Sequence, residues 1–285
     1  MPDSSEVRLA HLATTHNAAI DALMAQFEAE LKAIVGKASA RTLSVLQGRL
    51  ALAGGVIDRS PANQRVMRSL DAIFSQEMDA AGYDKLVQAF VGKFGEQFRY
   101  FRDVLDIVAP GKTVTFSGDD KAFFSSLQLN AADSLGAVVD IAGALAQQKA
   151  LFSVGGPKMT DLAELLSDRL QQTLPAAARL ADTAITVFYR SVSERGFAVV
   201  EKGLPLAQLR YRYWGPDDKL TRPFCRHLVE SGKTYSREEI DLMNNHQFPV
   251  GTVMLTCGGF RCRHSWLMAP LVPNPDPAAS MALAA

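Results

Sequence analysis

Over residues 7–35 the apolar side chains Leu12, Ile20, Leu23, Phe27, Leu31 and Ile34 recur at steps of three and four, with His16 continuing the stripe. That period places them on one side of a helix of about 30 residues, about 45 Å long. A chain that begins this way must bury the stripe against other helices. The residues that follow offer them. Residues 40–53 make a second helical stretch, halted at Gly54-Gly55. Ser60-Pro61 supplies an N-cap followed by proline at the first helical position, opening a helix that ends near Gly82. Residues 83–108 carry Leu86, Phe90, Phe94, Phe98, Phe101 and Leu105 on one side, and Pro110-Gly111 ends that run. Aromatics so spaced suit either a stacking surface or a helix-packing seam, and the seam is the simpler reading. Long helices with short joins predict an elongated N-terminal helical bundle or hairpin over 1–110, a shape suited to a spacer or assembly arm.

The pattern changes further along. Residues 112–116 alternate and predict a short strand, and Ser117-Gly118-Asp119-Asp120 predicts a turn and helix cap. Residues 127–152 are poor in charge and predict a buried or subunit-facing helix, closed by a break at Gly155-Gly156-Pro157. Two helices follow, over 160–174 and 175–195, the second offering Leu180, Ala184, Val187, Phe188 and Val192 to the C-terminal unit. From Gly196 the character shifts, with strands expected at 209–214 and 249–257. The proline-rich tail predicts an extended or disordered arm. The fold class expected is mainly α with a small α+β C-terminal domain. Its parts are a helical arm (1–110), a central helical region (111–195), an α+β cassette (196–270) and a tail (271–285).

Composition narrows the function. With 48% apolar content in 285 residues, a core of normal size can form. Thirty basic residues cancel thirty acidic ones, which argues against a chain that binds nucleic acid along its whole length. No long uncharged apolar run suggests a membrane span, and the first residues lack the pattern of a secretory signal. Three cysteines do not make a disulfide framework, so synthesis in a reducing cytoplasm is expected.

Two matching steps concentrate the reactive side chains, Cys225-Arg226-His227 and Cys262-Arg263-His264. Zinc is one reading, with Cys225, His227, Cys262 and His264 as its four ligands. The spacing is unusual for zinc, and residues two apart diverge if Cys225 opens a helix. A second reading sets Cys225 beside Cys262 as a thiol pair or a late disulfide. Such a bond would contribute on the order of 3–4 kcal/mol in the chain-entropy model. A third is a Cys/His-dependent enzyme, hydrolase or toxin-like, but nothing marks an activating environment or a substrate groove. Arg226 and Arg263 have nearby acidic residues for ion pairs, Asp217 and Asp218 among them. Cys257 closes an apolar stretch and is expected in the core.

The order of these residues resembles a known family. The pieces are 187–197 with its Tyr-Arg pair, 209–215, Asp218, Thr221, Cys225, Gly232-Lys233-Thr234-Tyr235, and Cys262-Arg263-His264-Ser265-Trp266. Together they resemble the C-terminal domain of phage Mu F-type minor head proteins, the head morphogenesis family, over residues 180–270. The chain departs from the family in having Cys257-Gly258-Gly259-Phe260 before the closing step, and His264 where many members have cysteine. The resemblance implies a minor structural protein of a tailed-phage head, portal-proximal and present in several copies. Its role would be head assembly, with DNA packaging or ejection also open to it, and it would be neither an enzyme nor a cofactor binder. Partners so implied are the portal protein, the major capsid protein and other copies of the chain. Packaged DNA is a further contact without sequence specificity, and membrane is not among the partners. Asp218, Thr221, Cys225, Gly232, Tyr235, Cys262, Arg263, His264 and Trp266 would then be the structural cassette. A zinc-stabilised adaptor is the alternative.

Overall fold

A computed structural model describes residues 4–138, 158–202, 209–246, 252–259 and 261–269. The chain is mainly helical, with small antiparallel sheets. The first helix, α1 (Ser4–Arg49), runs without interruption through the break expected after residue 35. Gly36 alone costs only about 1 kcal/mol in a helix interior. Val35, Ala38, Thr42 and Leu46 continue the buried stripe past it. The helix therefore ends before residues 52–53, which belong instead to a hairpin. Strands β1 (Leu52–Ala53) and β2 (Val56–Ile57) pair across Gly54-Gly55, both at positive φ as a tight primed turn requires.

Ser60 caps α2 (Pro61–Arg68), its Oγ accepting from the Asn63 amide. Ser69 separates this helix from α3 (Leu70–Ala81), so the single helix expected up to Gly82 is two. Gly82, left-handed at φ 103°, links α3 to α4 (Tyr83–Gly92). A 3-10 turn at Lys93–Gly95 then leads into α5 (Glu96–Val108). Residues 112–116 form no strand. The cap at Ser117 is present: Ser117 Oγ accepts from Asp120 N, and the Asp120 carboxylate accepts from Ser117 N. It opens α6 (Gly118–Val138). The remainder of the helix expected to 152, the break at 155–157 and the tail 271–285 lie outside the described residues.

Helix α7 (Met159–Glu201) replaces the two helices expected there, passing through Pro175 and past Gly196. Gly196 lies inside the helix with its bare Cα facing Phe101, where a Cβ would lie 2.1 Å from the ring. The buried face of α7 includes Ala181, Ile185, Phe188, Tyr189 and Val192, whereas Leu180 and Val187 are exposed, which shifts the predicted face.

Two compact units gather separated segments of chain, one from 1–19, 95–124 and 186–285, the other from 20–94 and 125–185. In the second, Phe27 packs on Phe90 at 4.8 Å and the Tyr83 hydroxyl donates to the Leu135 carbonyl. In the first, Phe98, Phe101, Phe116, Phe124, Phe188 and Phe197 form a contiguous aromatic core. The aromatics of 83–108 are thus packing residues.

The first unit also holds a three-stranded antiparallel sheet, β3 (Tyr211–Trp214) flanked by β4 (Thr234–Tyr235) and β5 (Ser265–Met268). The expected alternation in β3 is present: Tyr211 and Tyr213 are buried, Arg212 and Trp214 only partly so. Around the sheet lie α8 (Pro223–Ser231), α9 (Arg237–Asp241) and α10 (Val253–Thr256). The strand expected at 249–257 is therefore corrected: its described part is α10 and the turn after it, while 249–251 lie outside the described residues. Among the described residues no helix is long and apolar enough to cross a membrane.

Candidate functional site

The two Cys-x-His steps meet, but only in part. Cys225 is the third residue of α8, in the first turn, after Pro223 has fixed the start of that helix. Cys262 precedes β5, and strand pairing of Tyr213 with Trp266 brings the segment across β3. The sulfurs of Cys225 and Cys262 stand 3.7 Å apart, both cysteines are free, and both are buried. His264 joins them, its Nδ1 3.6 Å from Cys262 Sγ. His227 does not. It sits two residues beyond Cys225 on a helix, where side chains diverge, and it is exposed. The four-ligand set is corrected to a cluster of Cys225, Cys262 and His264, whose ligand atoms lie within 4.8 Å of one another.

Two glycines let the backbone approach the cluster closely. A Cβ on Gly258 would lie 2.2 Å from Cys225 Sγ, and the Gly258 amide donates to Cys262 Sγ at 3.2 Å. A Cβ on Gly215 would lie 2.3 Å from the His264 ring. His264 Nε2 contacts the Pro216 carbonyl at 2.9 Å, which assigns the proton to Nε2 and leaves Nδ1 as an acceptor. The Tyr213 hydroxyl reaches both sulfurs, at 3.4 and 3.6 Å, and its ring stacks on His264. Cys257 is core, as expected, but at a helix end with φ 50° rather than in a strand.

Arg190 on α7, outside the expected cassette residues, organises this region. Its guanidinium is buried, and among the described residues no carboxylate is bound to it. It donates instead to the carbonyls of Cys262 and His264 at 2.5 and 2.7 Å and to Leu255 at 3.1 Å. Burial opposes its charge, but the neighbouring thiols and phenols outweigh that, and its pKa rises above the ordinary arginine value. The hydrogen bond between the two sulfurs divides them: Cys262 is held well below the usual thiol range and Cys225 is pushed above it. Gly258 N–H and Arg190 both favour the anion on Cys262. Burial pushes Cys257 up to about 12. The available signal for Arg190 was an arginine alone among apolar and small residues over 185–193.

The other cassette residues have architectural partners. Asp218 takes a bidentate contact from Arg263 at 2.6 and 2.7 Å and accepts from Leu220 N, and these bonds hold its carboxyl below the usual range. Thr221 Oγ1 accepts from Asp218 N and donates to the Pro216 carbonyl. Arg226 pairs with Asp217 at 3.1 Å. Gly232, at φ 58°, caps α8 so that Tyr235 can enter β4. Trp266 donates to the Val253 carbonyl and packs on Tyr213 and Tyr235.

The arrangement can hold a soft cation or stabilise a buried thiolate. It offers an external substrate little access, because Cys225, Cys257 and Cys262 are 1%, 0% and 3% exposed. No family model, curated protein or solved structure matches the chain.

Proposed function

We propose that the chain is a minor structural protein of a tailed-phage head, located near the portal and acting in head assembly. DNA packaging or ejection is a further role within the same reading. The supporting observation is convergence. Tyr189, Arg190, Tyr213, Asp218, Thr221, Cys225, Tyr235 and the 262–266 segment carry the resemblance to Mu F-type head proteins. They are joined there by a continuous set of hydrogen bonds and ring contacts. Residues that served a shared chemistry would converge on an open cleft. Here Cys225, Cys262, His264 and Trp266 are buried and Asp218 pairs with Arg263 at the surface beside them, which favours an architectural role over catalysis.

In this reading the C-terminal cassette is a rigid module and the long helices meet the portal protein, the major capsid protein or further copies of the chain. Mass spectrometry of purified procapsids and virions tests it. The chain should be present in at least one of the two, in several copies per particle; its absence from both would overturn the proposal.

A further inference from the structure

The cluster at the heart of the cassette has the dimensions of a metal site. Tetrahedral zinc with Zn–S near 2.3 Å and Zn–N near 2.05 Å requires ligand edges of about 3.75 Å between sulfurs and about 3.5 Å from sulfur to nitrogen. Here the Cys225–Cys262 sulfur edge is 3.7 Å and the Cys262–His264 edge is 3.6 Å. The third edge also falls within 4.8 Å. A single thiol hydrogen bond would account for one such distance, whereas here three ligand atoms lie within 4.8 Å of one another.

The surroundings add three independent features. His264 contacts the Pro216 carbonyl through Nε2, the outer-shell contact that fixes a ligating imidazole with Nδ1 toward a metal. Gly258 directs its amide at Cys262 Sγ, a bond suited to a metal-bound thiolate, and the absence of a Cβ there keeps the space beside Cys225 open. Tyr213 places its hydroxyl 3.4 and 3.6 Å from the two sulfurs, near the distance expected of a fourth oxygen ligand. Two thiolates, a neutral imidazole and a divalent ion make a formally neutral group, which a buried setting tolerates.

We propose that Cys225, Cys262 and His264 bind one Zn2+ that ties α8 to the start of β5, with the Tyr213 hydroxyl facing the fourth coordination position. Binding displaces the thiol protons to solvent and involves no redox change. The inference stands apart from the head-protein reading, since a zinc-tied cassette would serve an adaptor of any assembly.

The test uses the full chain, expressed with zinc and purified under reducing conditions. Elemental analysis should find about one zinc per chain, and chelation should lower the melting temperature. Exchange into Co2+ should give the intense visible bands of a tetrahedral site and a near-ultraviolet thiolate charge-transfer band. Cys262→Ser and His264→Asn should each weaken zinc binding by at least about tenfold, whereas His227→Ala should leave it unchanged. Should the ligand variants fail to fold, the wild-type cobalt spectrum still decides. Reduced wild-type protein that takes up neither zinc nor cobalt would overturn the site. So would a Cys225–Cys262 disulfide in protein kept reduced throughout, or loss of metal in His227→Ala with retention in His264→Asn.

Discussion

Arg190 shows how one side chain can hold together segments that are remote in sequence. Its donors satisfy the carbonyls of Leu255, Cys262 and His264, which lie on either side of the turn at Cys257-Gly258. Arg190→Met would leave these acceptors buried and unpaired, and should destabilise the chain by roughly 3 kcal/mol or more in urea denaturation. Arg190→Lys should recover only part of this, because one ammonium cannot reach all three carbonyls in the geometry of the guanidinium. Equal stability of Arg190→Met and wild type would refute the role. His16 carries a second prediction at this scale. It stacks on Tyr100 at 3.6 Å, and burial lowers its pKa from 6.5 to about 4. Between those values the unfolded chain binds a proton that the folded chain refuses, so stability falls as pH drops through that window. The loss is on the order of 3 kcal/mol by pH 4. His16→Phe should flatten the dependence between pH 6.5 and 5, and an unchanged slope would count against it. Cysteines and histidines were legible in the sequence because they are rare. Arg190 entered only through the Tyr-Arg pair of the resemblance and Gly258 only as a departure from it, since the contacts of both depend on backbone brought in from distant segments.

At the scale of elements, local chemistry succeeded where a cap or turn residue dictates the backbone. Ser60, Gly82, Ser117 and Gly232 each act where expected. It failed where a breaker was overruled: Pro175 and Gly196 both lie inside a helix whose neighbouring faces are buried. Strands β1, β2 and β4 escaped notice because two residues carry too little periodic signal, and β5 because it is buried along its whole length and shows no alternation. The hairpin after α1 depends on Asn63, which is 1% exposed. Its side-chain amide donates to the Ala51 and Asp58 carbonyls and to the Asp58 carboxylate, while its oxygen accepts from Ala51 N. Asn63→Asp keeps the shape but turns those donors into an acceptor facing other acceptors. A loss of about 1–3 kcal/mol is expected, with faster amide exchange at residues 51–58. Wild-type exchange in that variant would show that the hairpin is held by something else.

For the whole molecule, the expected class holds: a mainly helical chain with a small α+β part near its C-terminus. That much follows from long 3.6-residue periods giving way to an alternating aromatic strand. How separated segments combine into the two compact units was not legible, because α1, α6 and α7 each supply residues to both. A structural role in a phage head requires this chain to occupy a defined place in a particle, not merely to fold. Cryo-electron microscopy of tailed particles purified from cells producing the chain tests that most directly. The account predicts helical density fitting the chain in repeated copies on the head side of the portal. Well-resolved particles containing the chain elsewhere, or with no density for it at the portal, would contradict it.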